Sequence, residues 1–241
     1  FLDSTYLKTA EQACLSEFEN QQIVNSFVQE AINFKFKLVM ILPEYVRKAR
    51  VFLDKIDSNL LIGTVIDFPL GEANIKFKLK EAEQAIINGA DELDFVVDYK
   101  AFQRGELNDV RDQIKLCTDL CIKNRKVVKW IIEIAALSNL EIANITSLIR
   151  EEVEKSFPKN IEQVFVKSST GFYQRHDGGP VGATLSGIKI MKDNAGKLPI
   201  KAAGGVRNIK DVKRMLDLGV SRIGTSSAKQ IVLGGITIKD Y

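Results

Sequence analysis

Short apolar runs alternate with amphipathic helical segments along the whole chain. The runs are rich in Val, Ile, Leu and Phe without intervening polar residues, a pattern typical of strands buried on both faces of a parallel sheet. Eight strands are predicted, at Phe1–Thr5, Phe36–Leu42, Leu60–Ile66, Glu92–Val97, Val127–Ile134, Gln163–Ser168, Leu198–Ala202 and Ser221–Thr225. Helices are predicted between them, at Thr9–Ile32, Glu44–Lys55, Asn74–Ile87, Leu107–Lys123, Ser138–Lys155, Thr184–Asp193, Ile209–Leu218 and, after the last strand, Ser226–Leu233.

Strict alternation of strands and helices predicts right-handed crossovers and a parallel sheet. Eight such units in 241 residues favour a closed (β/α)8 TIM barrel, which commonly needs about 250 residues. No linker divides the units, so we expect one barrel domain over residues 1–241. An open doubly wound sheet is the alternative, but the G-x-G-x-x-G motif that usually follows its first strand is missing.

The composition narrows the possible partners. A hydrophobic content of 45% supports a large core, and a net charge of +3 from dispersed lysines is too small to indicate nucleic-acid binding. No apolar run approaches the roughly 20 residues of a membrane-spanning helix. The three cysteines, Cys14, Cys117 and Cys121, lack metal-ligand spacing. We therefore expect reduced thiols, no metal site, no membrane association and a cytoplasmic location.

Two lysines stand at the ends of apolar strands, each followed by a glycine-containing turn. They are Lys167, within Phe165–Gly171, and Lys201, within Leu198–Gly205. Catalytic groups of such barrels cluster where the strands end, and neighbouring strands lie ~4.8 Å apart. Each ammonium group would lower the pKa of the other, leaving one amine free to attack a carbonyl and form an imine. Alone, either lysine could simply be a solvated residue at the end of a strand. The presence of two such lysines, each followed by a glycine turn, favours a catalytic role over that interpretation.

Carboxylates accompany the two lysines. Asp94 lies inside an apolar strand, where an unpaired charge is costly, and Lys129 on the next strand is its natural counter-ion. The two could form a structural ion pair, assist proton transfer, or do both. Asp3 either orients a substrate or caps the first turn. Glu133 is expected to be paired within the barrel.

The last strands are followed by small residues that favour a phosphate group. Gly204-Gly205 and Ser226-Ser227 follow strands 7 and 8, where phosphate sites of these barrels often lie, and Ser226-Ser227 precedes a helix. Gly171 follows Lys167 in the same way. Ser226 and Ser227 could instead be plain helix N-caps. Arg207 and His176 are expected at the surface, and Asp98 and Tyr99 in a loop.

Taken together, these segments closely resemble the deoxyribose-phosphate aldolases over almost the whole chain. The resemblance rests on Leu2–Lys8, Phe68–Gly71, Gly89–Asp94, Lys129–Glu133, Val166–Phe172, Lys201–Arg207 and Arg222–Ser227. It implies a barrel that reversibly cleaves 2-deoxy-D-ribose 5-phosphate to glyceraldehyde 3-phosphate and acetaldehyde. It also implies that Lys167 forms the imine, that Lys201 lowers its pKa and that Asp94 moves protons through water. No metal or other cofactor is implied, and the assembly would be a monomer or a homodimer.

Some residues depart from the pattern of the family. Met40 stands where many members have cysteine, Asp67 where glycine or asparagine is common, and Ala202 where proline is frequent. The segment Tyr173–Gly182 is longer than the usual glycine-rich loop. Its length leaves open a related Schiff-base aldolase or transaldolase that acts on another sugar phosphate.

Two further alternatives concern the role of the chain as a whole and of its end. A non-catalytic sugar-phosphate-binding barrel would be expected to lack one of the essential groups, yet Asp94, Lys167 and Lys201 are all present. Tyr241 either reaches the site, as the terminal tyrosine of some family members does, or is a frayed end.

Overall fold

The computed structural model describes residues 1–175 and 178–234, and its sheet is a closed parallel barrel in the order β1 to β8. The strands are β1 (Leu2–Tyr6), β2 (Leu38–Ile41), β3 (Leu61–Ile66), β4 (Glu92–Val96), β5 (Val127–Ile131), β6 (Val164–Lys167), β7 (Ile200–Ala203) and β8 (Arg222–Thr225). β8 pairs with β1, with Gly224 opposite Asp3, and this pairing closes the barrel. The predicted (β/α)8 architecture is confirmed.

Helices surround the barrel and follow the strands in chain order. They are α1 (Ala10–Ala13), α2 (Glu17–Asn33), α3 (Pro43–Lys55), α4 (Ile75–Ile87), α5 (Tyr99–Gln103), α6 (Leu107–Lys123), α7 (Asn139–Ser156), α8 (Leu185–Asn194), α9 (Ile209–Asp217) and α10 (Ala228–Val232). Two short 3-10 turns lie at Ile134–Ala136 and Ile161–Gln163. Outward-facing strand residues pack beneath these helices. Trp130, for example, is fully buried and donates its indole N–H to Thr118 of α6.

The first predicted helix is in fact two. Thr9 begins α1 at the predicted position and forms a capping box with Gln12, but Cys14 adopts a left-handed conformation with φ of 55° and ends the helix after one turn. Ser16 then opens α2 with a second capping box, in which Glu19 is the reciprocal partner. The apolar periodicity continues across the break, so it does not reveal the interruption.

Two other local predictions were wrong. Strand 5 ends at Ile131 rather than Ile134, because Glu133 takes a left-handed conformation with φ of 55° and starts a 3-10 turn. Tyr99 is not in a loop: it begins α5, and the Asp98 carboxylate caps this helix by accepting a hydrogen bond from the Ala101 N–H. Neither five-residue α5 nor a single left-handed residue carries enough periodicity to be recognised in the sequence.

Candidate active site

The barrel interior contains charged side chains on the strands where bulky aliphatic residues are usual. Lys167 and Lys201 occupy paired positions on β6 and β7, and Asp94 and Lys129 occupy paired positions on β4 and β5. All four side chains are buried. Because strand residues alternate between the two faces of a sheet, the sequence spacing of these groups aims them into the barrel.

Asp94 is the centre of this cluster. Its Oδ1 accepts a hydrogen bond of 2.7 Å from Lys129, and its Oδ2 accepts hydrogen bonds of 2.9 Å from both Lys167 and Lys201. Burial alone would raise the pKa of Asp94, but the three lysines hold it well below its usual range. Asp94 is therefore a carboxylate at neutral pH, and it links the two strand-end amines.

The amine of Lys167 loses its proton more readily than that of a free lysine. Burial lowers its pKa, the neighbouring Lys201 lowers it further, and Asp94 opposes both effects, so the pKa falls to about 8. The pKa of Lys129, by contrast, is raised, because Asp94 and Glu92 outweigh the effect of its burial. Of these two buried lysines, Lys167 is therefore the one that more readily becomes neutral, and Lys129 is the one that keeps its charge.

Sequence reasoning missed two residues, Glu92 and Arg222, that lie beneath the cluster. Arg222 donates from Nε to Asp3 at 2.9 Å and from Nη1 to Glu92 at 3.1 Å. Glu92 also lies 2.7 Å from Lys129, and Asp3 lies 2.9 Å from Lys201. Glu92 could have been found from its position two residues before Asp94, which places both on the same face of β4.

Asp3 is therefore a buried partner of Lys201 and Arg222. The interpretation of Asp3 as a cap of the first turn was wrong, because Thr9 supplies that cap from its own side chain. Asp3 is fully buried on β1. Its carboxylate connects two cations on the neighbouring strands β7 and β8 and makes the interior charges one continuous network.

A cavity of about 490 Å³ opens above the cluster. Lys167 and Lys201 form part of its floor, and the turns after β6, β7 and β8 form its walls. The wall residues include Gly171, Gly204, Gly205 and Ser226. The predicted lysines and most of the predicted phosphate-binding residues thus lie around one cavity at the C-terminal ends of the strands.

The glycines in the wall have backbone conformations that other residues rarely adopt. Gly171, Gly204 and Gly205 have φ of 84°, 76° and 75°. Within the described residues, their N–H groups and that of Ser226 donate to no other backbone group. Main-chain donors of residues that line a cavity are suited to a phosphate group.

Ser227 does not line this cavity. Its N–H donates to the Thr225 hydroxyl at 3.0 Å, and its own hydroxyl is buried without capping the following helix. The predicted helix over Ser226–Leu233 begins only at Ala228 and has five residues, so its dipole adds little at Ser226. Neither the Ser227 hydroxyl nor the helix dipole therefore marks this turn as an anion site, and any such role would rest on main-chain donors.

Glu133 supports the turn after Lys167. Its Oε2 accepts hydrogen bonds from both the N–H and the hydroxyl of Thr170, and the Thr170 hydroxyl accepts one from the Phe172 N–H. The second carboxylate oxygen, Oε1, is buried without a hydrogen bond, and burial raises the pKa of Glu133. The predicted pairing of Glu133 inside the barrel is replaced by this contact with a loop.

The remaining candidates lie at the edge of the site or outside the described residues. Arg207 is exposed at the cavity wall, and Met40 is fully buried on β2. Asp67 accepts a hydrogen bond from the Ala73 N–H and lies 3.3 Å from the buried Lys78, a lysine that sequence reasoning did not single out. His176 and Tyr241 are not among the described residues.

The described ranges, 1–175 and 178–234, contain neither a metal-binding cluster nor a membrane-spanning helix. No group of three or more His, Cys, Asp or Glu side chains there could hold a metal ion. None of the helices in those ranges is long and apolar enough to cross a membrane.

The fold and the site define an enzyme of the (β/α)8-barrel class with buried lysines at the mouth of the barrel. Residues 9–235 match the model of the DeoC/LacD family aldolases, and the chain belongs to this family. The deoxyribose-phosphate aldolase of Staphylococcus haemolyticus is 37% identical over 237 residues, covering 98% of this chain and 99% of the relative. The deoxyribose-phosphate aldolase of Metamycoplasma arthritidis is 35% identical over 228 residues, covering 94% of this chain and 96% of the relative.

Solved structures agree with this assignment. A putative deoxyribose-phosphate aldolase from Coccidioides immitis superposes with a TM-score of 0.79 at 27% identity, covering 96% of this chain and 83% of that one. The deoxyribose phosphate aldolase from Aeropyrum pernix, described as tetrameric, superposes with a TM-score of 0.77 at 26% identity. The match covers 96% of this chain and 88% of that one.

Proposed function

We propose that this chain reversibly cleaves 2-deoxy-D-ribose 5-phosphate to D-glyceraldehyde 3-phosphate and acetaldehyde through an imine on Lys167. The observation that carries the proposal is the contact of Lys167 and Lys201 with one oxygen of Asp94, at the floor of a cavity whose wall includes several glycines. The relatives named deoxyribose-phosphate aldolase, which match nearly the whole chain, support the same substrate.

The first step is the attack of the neutral Lys167 amine on C1 of the open-chain aldehyde. The resulting carbinolamine loses water and becomes a protonated imine. With a pKa of about 8, roughly a tenth of Lys167 is neutral at pH 7, against less than a thousandth for an unperturbed lysine. Burial beside Lys201 therefore supplies the nucleophile without any cofactor in this scheme.

The bond that breaks is C2–C3, because acetaldehyde retains C1 and C2. The C3 hydroxyl loses its proton, the C2–C3 electron pair moves into the imine, and glyceraldehyde 3-phosphate leaves, with an enamine remaining on Lys167. Protonation of C2 and hydrolysis by one water release acetaldehyde and restore the amine. We assign the transfer of these protons to Lys201, which lines the cavity, and to Asp94, which contacts Lys201 and would act through water.

The phosphate group would bind at the other side of the cavity. Gly171, Gly204, Gly205 and Ser226 line that space, and their N–H groups would hold a dianion at a fixed distance from Lys167. Ser227 supports this turn through its contact with Thr225 rather than by binding the phosphate itself. Lys129 and Asp3 hold Asp94 and Lys201 in place and would not touch the substrate.

The test is a direct assay of the purified protein. With 2-deoxy-D-ribose 5-phosphate we expect glyceraldehyde 3-phosphate, detected by coupled reduction, together with an equal amount of acetaldehyde. Unphosphorylated 2-deoxy-D-ribose should give a much higher KM, because it lacks the group that the glycine N–H groups bind. Preferential cleavage of another sugar phosphate would contradict 2-deoxy-D-ribose 5-phosphate as the substrate. It would not contradict the imine mechanism.

A further inference from the structure

Arg222 and Glu92 lie at the bottom of the charged network and do not line the cavity. The Arg222 guanidinium connects Asp3, the ion-pair partner of Lys201, with Glu92, the ion-pair partner of Lys129. Lys201 and Lys129 in turn both contact Asp94. Two chains of alternating charge therefore rise from Arg222 and meet at the carboxylate that contacts Lys167.

The register of the barrel explains this arrangement. Arg222 pairs with Lys201 across β7 and β8, and Lys201 pairs with Lys167 across β6 and β7. Glu92 precedes Asp94 by two positions on β4, so both face the interior. Glu92 and Arg222 are joined to Asp94 and Lys167 through a middle set of contacts, made by Asp3, Lys129 and Lys201.

We propose that Arg222 and Glu92 are positioning residues that set how readily Lys167 gives up its proton, by balancing the charge beneath it. The proposal deepens the imine mechanism and rests on the proposed function. Neither residue would contact the substrate, and each would act through Asp3, Lys129, Lys201 and Asp94.

A charge count supports this role. Among the described residues, the connected interior network contains three carboxylates and four cations: Asp3, Glu92 and Asp94, with Lys129, Lys167, Lys201 and Arg222. With every group ionised it has one positive charge in excess, which is costly in a buried site and is relieved when Lys167 becomes neutral. None of the ion pairs among the described residues joins Glu133 to this network, because its carboxylate is turned to the N–H and hydroxyl of Thr170.

The two residues should have opposite effects. Replacing Arg222 with Met removes the excess positive charge, so Lys167 should keep its proton to a higher pH. Replacing Glu92 with Gln removes a negative charge and so increases the excess of positive charge. Lys167 should therefore lose its proton at a lower pH. A purely structural role for the pair predicts no such difference in sign, because either substitution would merely loosen the same bridge.

The readout should report the amine itself and not only turnover. Competitive labelling with acetic anhydride tracks the neutral fraction of an amine, and mass spectrometry of the Lys167 peptide across pH gives its titration midpoint. We expect R222M to raise the midpoint and E92Q to lower it, each by roughly half a pH unit or more, and the double variant R222M/E92Q to return close to the wild type. R104M removes the same charge from an exposed pair and should leave the midpoint unchanged.

Shifts in the same direction, or no shift in either single variant, would overturn the proposal. If R222M does not fold, E92Q alone must still lower the midpoint, and a midpoint unchanged in E92Q would refute the role. The labelling needs no turnover, so a wild-type protein that fails to cleave the sugar phosphate would count against the proposed function and not against this charge balance.

Discussion

Lys167 and Lys201 lie side by side on neighbouring strands, and their Nζ atoms approach one carboxylate oxygen to the same distance, 2.9 Å. The oxygen belongs to Asp94, which is fully buried and also contacts Lys129. Among the described residues, the connected network holds three carboxylates against four cations, so the site favours loss of one proton. Burial and Lys201 direct that loss to Lys167.

The first prediction concerns the dependence of activity on pH. The pKa of Lys167 is lowered to about 8, so the neutral amine, and with it kcat/KM, should rise from pH 6 and level off above pH 8. Measuring kcat/KM from pH 6 to pH 10 gives the midpoint of this rise. A midpoint near pH 10, where a free lysine titrates, would show that the charged cluster does not lower the pKa of Lys167.

Asp94→Asn should impair both stability and turnover. The substitution removes the negative charge shared by Lys129, Lys167 and Lys201 and leaves buried cations without compensation, at an expected cost of about 3–5 kcal/mol in the free energy of unfolding. Urea denaturation measures the stability loss, and the cleavage assay measures the activity. Asp109→Asn on the exposed face of α6 is the matched control and should change neither. Equal stabilities of the two variants would contradict the central position of Asp94.

Glu133→Ala should weaken phosphate binding more than imine formation. Without the carboxylate, the N–H and hydroxyl of Thr170 lose their acceptor, and the turn that leads to Gly171 is no longer held. We expect KM for 2-deoxy-D-ribose 5-phosphate to rise by roughly tenfold, about 1.4 kcal/mol, with a smaller fall in kcat.

Glu133→Gln retains an acceptor oxygen and is the control, with a KM near that of the wild type. Acetaldehyde has no phosphate group, so its reaction with Lys167 should be similar in both variants. A KM unchanged in Glu133→Ala would indicate that the turn holds its shape without Glu133.

Gly224→Ala tests the space that Lys201 needs. A Cβ at this position would lie 3.0 Å from Lys201 Cε, closer than most such contacts, so the lysine would have to shift away from Asp94 and Asp3. Because small displacements of catalytic groups are costly, we expect kcat to fall by about tenfold or more while the circular dichroism spectrum is retained. Full activity in Gly224→Ala would show that the position of Lys201 tolerates such a shift.

The sequence predicted much of the fold because local signals and tertiary structure agree. The periodicity of Leu107–Lys123 gave the bounds of α6, and the capping boxes at Thr9 and Ser138 marked the starts of α1 and α7. The pairing of Asp94 with Lys129 was also confirmed, because a charged residue in an apolar strand needs a partner on the adjacent strand.

The deeper part of the network could not be predicted from the sequence. Arg222 stands at the start of β8, where an arginine is ordinarily exposed, and Asp3 is 219 residues away in the chain. Only closure of the barrel between β8 and β1 brings them together. The contact of Glu133 with Thr170 depends on a left-handed residue whose sequence neighbours give no sign of it.

The most direct test of the central claim is to treat the protein with acetaldehyde and borohydride, followed by peptide mass spectrometry. Reduction of the imine should leave one ethyl group on Lys167, and a folded Lys167→Ala variant should acquire none at the cluster and lose cleavage activity. An ethyl group on Lys201 instead would reverse the roles of the two lysines. The absence of an adduct on either lysine, in a protein that cleaves 2-deoxy-D-ribose 5-phosphate, would contradict the imine mechanism.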